Sequence, residues 1–411
     1  MNIENPKYKW TVVGLLWFVG LLNYLDRQML STMRPAMQID IAELQSAETF
    51  GILMSIFLWI YGFMSPVSGV IADRVNRKWL IVFSLFVWSA VTCLMGFADS
   101  FTELKWLRGI MGLSEAVYIP AALSLIADYH TSKTRSLAIG IHMTGLYFGQ
   151  ALGGFGATFA KEYSWHQTFY LFGLVGIIYA IVLSVLLKEK RGKAFRNVVL
   201  KGERKDNLLK GVGWLLSNLS FWVILFYFAM PSLPGWATKN WLPTLFSESL
   251  GIDMAVAGPI ATITIAASSF LGVITGGIIS DKWVQKNIKA RVYTSAIGVF
   301  LTIPAILILG FGNTTFVLIL AAILFGVGFG MFDANNMPIL CQFVPARYRA
   351  TAYGLMNMTG VFFGAFITSM LGKSSDEGHL GRDFALMSGV VFLVLILQLA
   401  VLKPRVQELE D

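Results

Sequence analysis

The chain has 411 residues, 56% of them hydrophobic and only 14% charged, with a formal net charge of +8. So little polar surface cannot coat a water-soluble globule of this size. The basic excess does not gather on one face, as a nucleic-acid binder requires, but is parcelled out between long apolar blocks.

A bilayer-spanning helix needs about 20 mostly apolar residues. Twelve such blocks follow one another at 10–33, 48–71, 79–98, 104–127, 136–160, 167–187, 218–246, 255–279, 292–310, 315–339, 350–372 and 384–402. An all-α membrane protein of twelve transmembrane helices is therefore expected; a β-barrel would show short alternating strands instead. The first block is too long for a signal peptide and no small-residue cleavage site follows it, so it reads as a span. Cys93 and Cys341 lie far apart with no paired spacing. Neither a disulfide, a metal site nor a cofactor is expected from them.

The cations set the orientation. With the N-terminus in the cytoplasm, twenty-four of the 32 lysines and arginines fall in cytoplasmic segments, and Arg34, Lys105, Lys161, Lys373 and Arg382 fall outside. Arg27, Arg108 and Lys239 sit within the blocks. That bias places both termini inside. It implies no nucleic-acid partner, only contact with membrane lipid, aided by anionic headgroups along the inner face.

Residues 188–217 form the one long, highly charged break, with six blocks on either side. The expected organisation is a six-helix bundle over 1–187, a cytoplasmic linker over 188–217 that holds a short surface helix, and a second bundle over 218–411. The halves resemble each other. Gly69-Val-Ile-Ala-Asp73-Arg74 with Arg77 and Lys78 after block two is echoed by Gly277-Ile-Ile-Ser-Asp281-Lys282 after block eight. The stretch Lys133-Thr-Arg135 to Gly140 is echoed by Arg347-Tyr-Arg349 to Gly354. Two parallel repeats are how many secondary transporters place a substrate site between rocking halves.

The motif Gly69-x-x-x-Asp73-Arg74-x-x-Arg77-Lys78, its degenerate copy at Asp281, and the six-plus-six layout resemble the major facilitator superfamily across essentially the whole chain. The resemblance implies that Gly69, Asp73, Arg74, Arg77 and Asp281 act in gating. Within that superfamily, Asn23-Tyr24-Leu25-Asp26-Arg27, Trp59-Ile60-Tyr61 and Arg108-x-x-x-Gly112-x-x-Glu115 with Pro120 resemble the anion:cation symporters of galactonate, hexuronates and sialic acid. Such a protein is a monomeric, proton-coupled importer of a small organic anion, and not an enzyme. The resemblance implies that Arg27 grips the substrate carboxylate, that Tyr24 and Tyr61 line the pocket, that Asp26 and Glu115 carry protons, and that Asn357 meets a sugar hydroxyl. The pattern departs at Leu146, where the relatives carry glutamine, and at Met331, Asp333 and Ala334, where they carry serine, threonine and tryptophan.

Residue chemistry leads to a similar site. An ionisable group inside a span is costly unless it is paired or faces a wet cavity. Six candidates stand out: Asp26, Arg27, Arg108, Glu115, Lys239 and Asp333. Arg108 and Glu115 are two helical turns apart on one face, while Asp26 and Arg27 point about 100° apart. Arginine's planar fork suits a carboxylate, and a carboxylate in a low-dielectric site takes up a proton more readily than in water. Arg108 is either a functional cation or the buried partner of Asp26 or Glu115. Arg27 either binds substrate or pairs with Asp26. Asp333 is a proton carrier, a substrate contact or the partner of Lys239; Lys239 itself is a second substrate cation or a snorkelling anchor. Asn335 and Asn336 either bind hydroxyls or bridge helices, and His142 reads as packing. Pro231-Ser-Leu-Pro234-Gly235, with Pro243 beyond, is expected to break the seventh span.

No nucleophile or metal constellation, phosphate loop or nucleophile elbow appears, so an enzyme is excluded. Asn23-Tyr24-x-Asp26-Arg27-Gln28 with Arg108 and Glu115 also resembles the Spinster lysolipid carriers, the alternative function. Their cargo calls for an apolar cavity open to lipid.

Overall fold

The computed structural model describes residues 7–189, 208–345, 348–404 and 406, with the backbone alone at 69, 70, 73, 74, 132, 133, 136, 208–210 and 350. The centre of the expected linker, 190–207, lies outside the described residues, as do Arg347 and Arg405. The helices are α1 (Tyr8–Asp40), α2 (Ala47–Arg74), α3 (Arg77–Met95), α4 (Phe101–Glu115), α5 (Tyr118–Tyr129), α6 (Ser132–Gly153), α7 (Gly156–Glu162) and α8 (Trp165–Leu186). They continue with α9 (Leu208–Leu216), α10 (Leu219–Leu250), α11 (Met254–Val284), α12 (Ala290–Phe311), α13 (Thr315–Phe343), α14 (Arg349–Asp376) and α15 (Leu380–Val401).

Short polar turns start several helices where the apolar blocks begin. Ser46 accepts a hydrogen bond from Thr49 N, Asn76 from Trp79 N, Ser100 from Glu103 N and Asp253 from Ala255 N. Each satisfies an amide that the first helical turn leaves without a partner. Among the described residues ten segments are long and apolar enough to cross a membrane, α4 and α5 counting as one. The two remaining expected spans, α1 and α6–α7, are not among these ten; polar residues such as Asn23, Asp26, Arg27, His142 and Gln150 interrupt their apolar runs. These two pack against each other.

Two expectations about helix continuity are corrected. The seventh span is unbroken: α10 runs through Pro231, Pro234 and Pro243. Proline removes a backbone donor and crowds the carbonyl four residues earlier, but α10 is enclosed over most of its length, and neighbouring helices hold such a segment straight enough to remain helical. The discontinuities occur elsewhere. The fourth span is interrupted at Ala116 and Val117, where Pro120 crowds the Ala116 carbonyl. The fifth is interrupted at Gly154 and Phe155.

Successive spans alternate direction, so the loops divide between a terminal face, which carries the chain ends, and a distal face. On the terminal face three arginines each donate to a carbonyl five residues earlier: Arg77 to Ala72, Arg135 to His130 and Arg349 to Val344. They close turns that joined spans must make. The distal face is sealed between the first and second halves of the chain. The Gly154 backbone approaches α11 so closely that a Cβ there would lie 1.9 Å from Thr262 Oγ1, and Thr262 Oγ1 donates to Ala151 O at 3.1 Å. Asp376, the last residue of α14, accepts from Ala47 N at 2.7 Å, Glu48 N at 2.9 Å and Ser46 Oγ at 2.8 Å. A carboxylate from one half thus caps the N-terminus of α2 in the other, where the helix dipole favours negative charge.

Asp376→Ala removes this cap at a cost of about 1–2 kcal/mol to the distal-closed state. The expected outcome is a larger distal-open population, read as lengthened distances between spin labels at Lys161 and Asp253, which now meet across the seal at 2.9 Å.

Candidate functional site

The site is built first around Arg27, about 30 Å along α1. Its Nε donates to Glu115 Oε2 at 2.6 Å, and Asn23 Nδ2, one turn earlier on the same helix face, donates to the same oxygen at 2.8 Å. The guanidinium lies over three rings, 4.7 Å from Phe57, 4.7 Å from Tyr61 and 5.2 Å from Tyr24. Arg27 Nη2 and Glu115 Oε1 are both buried with no hydrogen-bond partner. Arg27 therefore pairs with Glu115 and not with Asp26. Asp26 points the other way, toward α3, where Thr92 Oγ1 donates to its Oδ2 at 3.3 Å and Oδ1 has no partner.

Arg108 makes neither of the ion pairs expected for it. Its guanidinium rests 4.7 Å from the centroid of the Phe57 ring, donates from Nη1 to Met111 Sδ at 3.1 Å, and leaves Nε without a partner. Phe57 thus serves two arginines at equal distance, so two positive charges share one quadrupole. Sequence reasoning missed Phe57, although its spacing of four residues from Tyr61 on α2 put both rings on one helix face. It also singled out Asn23 only as part of a motif, and missed Thr92.

The second part of the site comes from α10 and α13. Tyr24, Leu146, Gln150, Lys239, Phe329 and Asp333 are among the residues lining a narrow cavity of about 80 Å³. Lys239 Nζ lies 4.8 Å from the Trp236 ring and 5.9 Å from that of Tyr24, and no carboxylate forms a salt bridge with it among the described residues. Gln28 Nε2 donates to Lys239 O at 2.7 Å, tying α1 to α10 beside the cavity. Asp333 is exposed to the cavity although it lies well inside α13, and among the described residues Asn336 Nδ2 alone donates to it, at 3.2 Å. Lys239 and Asp333 therefore share the cavity without forming a contact ion pair.

Each of the three asparagines donates to a neighbour, although Asn335 Oδ1 is buried with no partner. Asn335 is fully buried and donates to Met331 O of its own helix; Asn336 accepts from Tyr227 Oη while holding Asp333; Asn357 donates to Ser65 Oγ of α2. Of the residues singled out for gating, Gly69, Asp73 and Arg74 lie in the last turns of α2 and their side chains are outside the described residues. Arg77 pairs with Asp128 of α5, and Arg291 reaches Asp281 at 3.8 Å in the equivalent corner of the second half. His142 is fully buried beside the Tyr118 ring, with neither ring nitrogen hydrogen-bonded.

The profile of the Major Facilitator Superfamily matches residues 16–369. The chain belongs to that superfamily. It is an integral membrane transporter, as the family's members are, and not an enzyme. It is 27% identical to a probable galactarate/D-glucarate transporter of Escherichia coli over 90% of this chain and 89% of that one. It is also 27% identical to spinster homolog 1 of Xenopus tropicalis, over 90% and 74%. A hexuronate transporter of Bacillus subtilis is 25% identical over 88% and 91%. Among solved structures, a bacterial homolog of the human lysosomal transporter Spinster, inward-facing and occupied, superposes with a TM-score of 0.77 at 18% identity, covering 96% of this chain and 97% of that one. That likeness shows the major facilitator fold.

Phe57→Leu in this transporter keeps the apolar volume but removes the ring that both guanidiniums rest on. A desolvated cation–π contact contributes about 2 kcal/mol, so a lowered unfolding temperature of the purified protein is expected, with a larger loss than Phe50→Leu, whose ring packs on Trp241 instead.

Proposed function

We propose that this transporter is a proton-coupled symporter of an organic anion, a sugar acid such as a hexuronate, an aldonate or a sialic acid. It works by alternating access between bundles 1–187 and 218–411 joined through 188–217, in a prokaryotic cytoplasmic membrane with both termini inside. The observation that carries the reading is the Arg27 guanidinium: held on three aromatic faces in the middle of a span, it has a buried Nη2 with no partner. A fork with one tine filled by Glu115 and one empty is a receptor for a second carboxylate. The galactarate/D-glucarate and hexuronate relatives support the sugar acid. Lys239 and Asp333 of the second half, with Gln150 of the first, make the cavity wall polar and argue against the lysolipid alternative.

Coupling follows from the charges. Arg27 and Glu115 together are neutral, so an anion that binds Arg27 leaves an uncompensated negative charge in a low-dielectric site unless Glu115 takes a proton. Glu115 then releases Arg27 to the substrate. Asp26, with its own unpartnered oxygen, is the second proton carrier on α1. The terminal-face motif of Gly69, Asp73, Arg74 and Arg77, with Asp281 in its copy, gates the terminal side.

Two outcomes test this. Arg27→Lys retains the charge but loses the fork, so affinity for galactonate or glucuronate in proteoliposomes falls by roughly tenfold or more while insertion is unaffected. Unchanged affinity removes Arg27 from the site. Glu115→Gln imitates the protonated state, so counterflow exchange of labelled substrate persists while accumulation driven by a pH gradient is lost. Wild-type accumulation in both Glu115→Gln and Asp26→Asn places coupling elsewhere.

A further inference from the structure

Glu115 accepts twice on one oxygen and not at all on the other. Oε2 receives Arg27 Nε at 2.6 Å and Asn23 Nδ2 at 2.8 Å, while Oε1 is buried with no hydrogen-bond partner. Asn23 is in the matching condition: its Nδ2 is engaged by Glu115, and its Oδ1 is buried with no partner. The two side chains are thus joined at one atom each, and the remaining atom of each is an acceptor. Both residues are fully buried, where an unpaired polar atom is costly. Two acceptors cannot bond to each other, but a single proton between them satisfies both.

We propose that Asn23 is the positioning residue for proton binding: the proton that Glu115 takes up sits on Oε1 and is donated to Asn23 Oδ1, closing amide and acid into a ring of two hydrogen bonds. This rests on the reading of Glu115 as a proton carrier given above and adds where its proton lies and what holds it. The terminal torsions of asparagine and glutamate are broad, so a pair held at one leg closes at the other without changing rotamer. Oε1 takes the proton because Oε2 is already stabilised by two donors, one of them a cation. An amide suits this position because it donates to a carboxylate and accepts from an acid, so it holds Glu115 in both states. A cation would hold the ionised form alone, and a carboxylate the protonated form alone.

The O–H bond formed at Oε1 is the one covalent change; its proton comes from solvent on the open side and returns to solvent on the other. Uptake cancels the charge on Glu115, so the bond from Arg27 loses its charge-assisted strength. The hold of Asn23 meanwhile grows from one hydrogen bond to two. Asn23 and Arg27 are four residues apart on one face of α1, so Glu115 passes from one to the other within a single helix. Arg27 is then released to a substrate carboxylate while Glu115 stays in place to recapture it. The ionisable groups around Glu115 are Arg27, Asp26 and Tyr24 of α1, Tyr61 of α2 and Arg108 of its own helix. The charges of α3 and α5, Arg77, Lys78 and Asp128, lie at the terminal ends of those helices.

The test uses the full chain in proteoliposomes and infrared difference spectra between acid and alkaline buffer. The carbonyl stretch of protonated Glu115 is the acid band that Glu115→Gln removes. Asn23→Leu keeps the volume but takes away both legs of the ring, so the band is expected to move to higher frequency, as for an acid with fewer hydrogen bonds. Asn23→Asp places a second carboxyl on the same proton, and two carboxylates sharing one proton keep it to higher pH. The midpoint at which the band disappears is therefore expected to rise by about one pH unit or more, and the pH profile of substrate uptake to move with it. An unmoved band in Asn23→Leu, or an unmoved midpoint in Asn23→Asp, overturns the role of Asn23. Failure of the underlying reading looks different: Glu115→Gln removes no acid band from the wild-type spectrum.

Discussion

The ion pair between Arg27 and Glu115 is the constraint on which the rest of this transporter depends. Both groups lie where an isolated charge costs several kcal/mol, and a buried pair repays that cost only with good geometry and further hydrogen bonds. Here the geometry is good and the hydrogen bonding incomplete. Asn23 completes one oxygen of Glu115, while the other oxygen and one arm of Arg27 are left empty. A pair satisfied on every atom would be an inert brace. A pair with one vacancy on each partner is what the proposed exchange requires, with a place for a carboxylate on Arg27 and one for a proton on Glu115.

Much of this was legible in the sequence, for a physical reason. Bilayer thickness sets a block length, and blocks of that length mark spans whatever their partners. The same reasoning exposes intramembrane charges, because nothing else tolerates them there, and Asp26, Arg27, Arg108, Glu115, Lys239 and Asp333 were all visible that way. What was hidden was pairing. Helical geometry said that Asp26 and Arg27 diverge, and they do, but not which helix each would meet. Glu115 lies 88 residues from Arg27 and is brought to it only by packing. The prolines misled because their local effect is the same in α4–α5 and α10, while the outcome depends on enclosure. Three prolines inside a well-packed α10 leave it helical, whereas Pro120 coincides with the interruption after Glu115.

The seal on the distal face shows the same economy of means. Small residues let α6 and α11 touch backbone to backbone, and one carboxylate, Asp376, supplies three hydrogen bonds to the far half. Contacts made of caps and close backbone approaches are lost together once the helices part. They are not stretched gradually, which suits a protein that must occupy two discrete arrangements.

The placing of Phe57 links the charged site to this helix packing. A Cβ on Gly112 would lie 2.6 Å from the Phe57 carbonyl, so α4 meets α2 at this depth only because residue 112 has no side chain. That approach puts Arg108, one turn before Gly112, beside the Phe57 ring, and Glu115, one turn after it, against Arg27, which lies beside the same ring. The segment from Arg108 to Glu115 therefore works as a unit in which a glycine sets the distance, an arginine rests on the ring and a carboxylate holds Arg27. A larger residue at 112 would push α4 away and separate Glu115 from Arg27 without altering a single charged group. The coupling proposed for this site thus depends on the spacing of two helices as much as on its carboxylates.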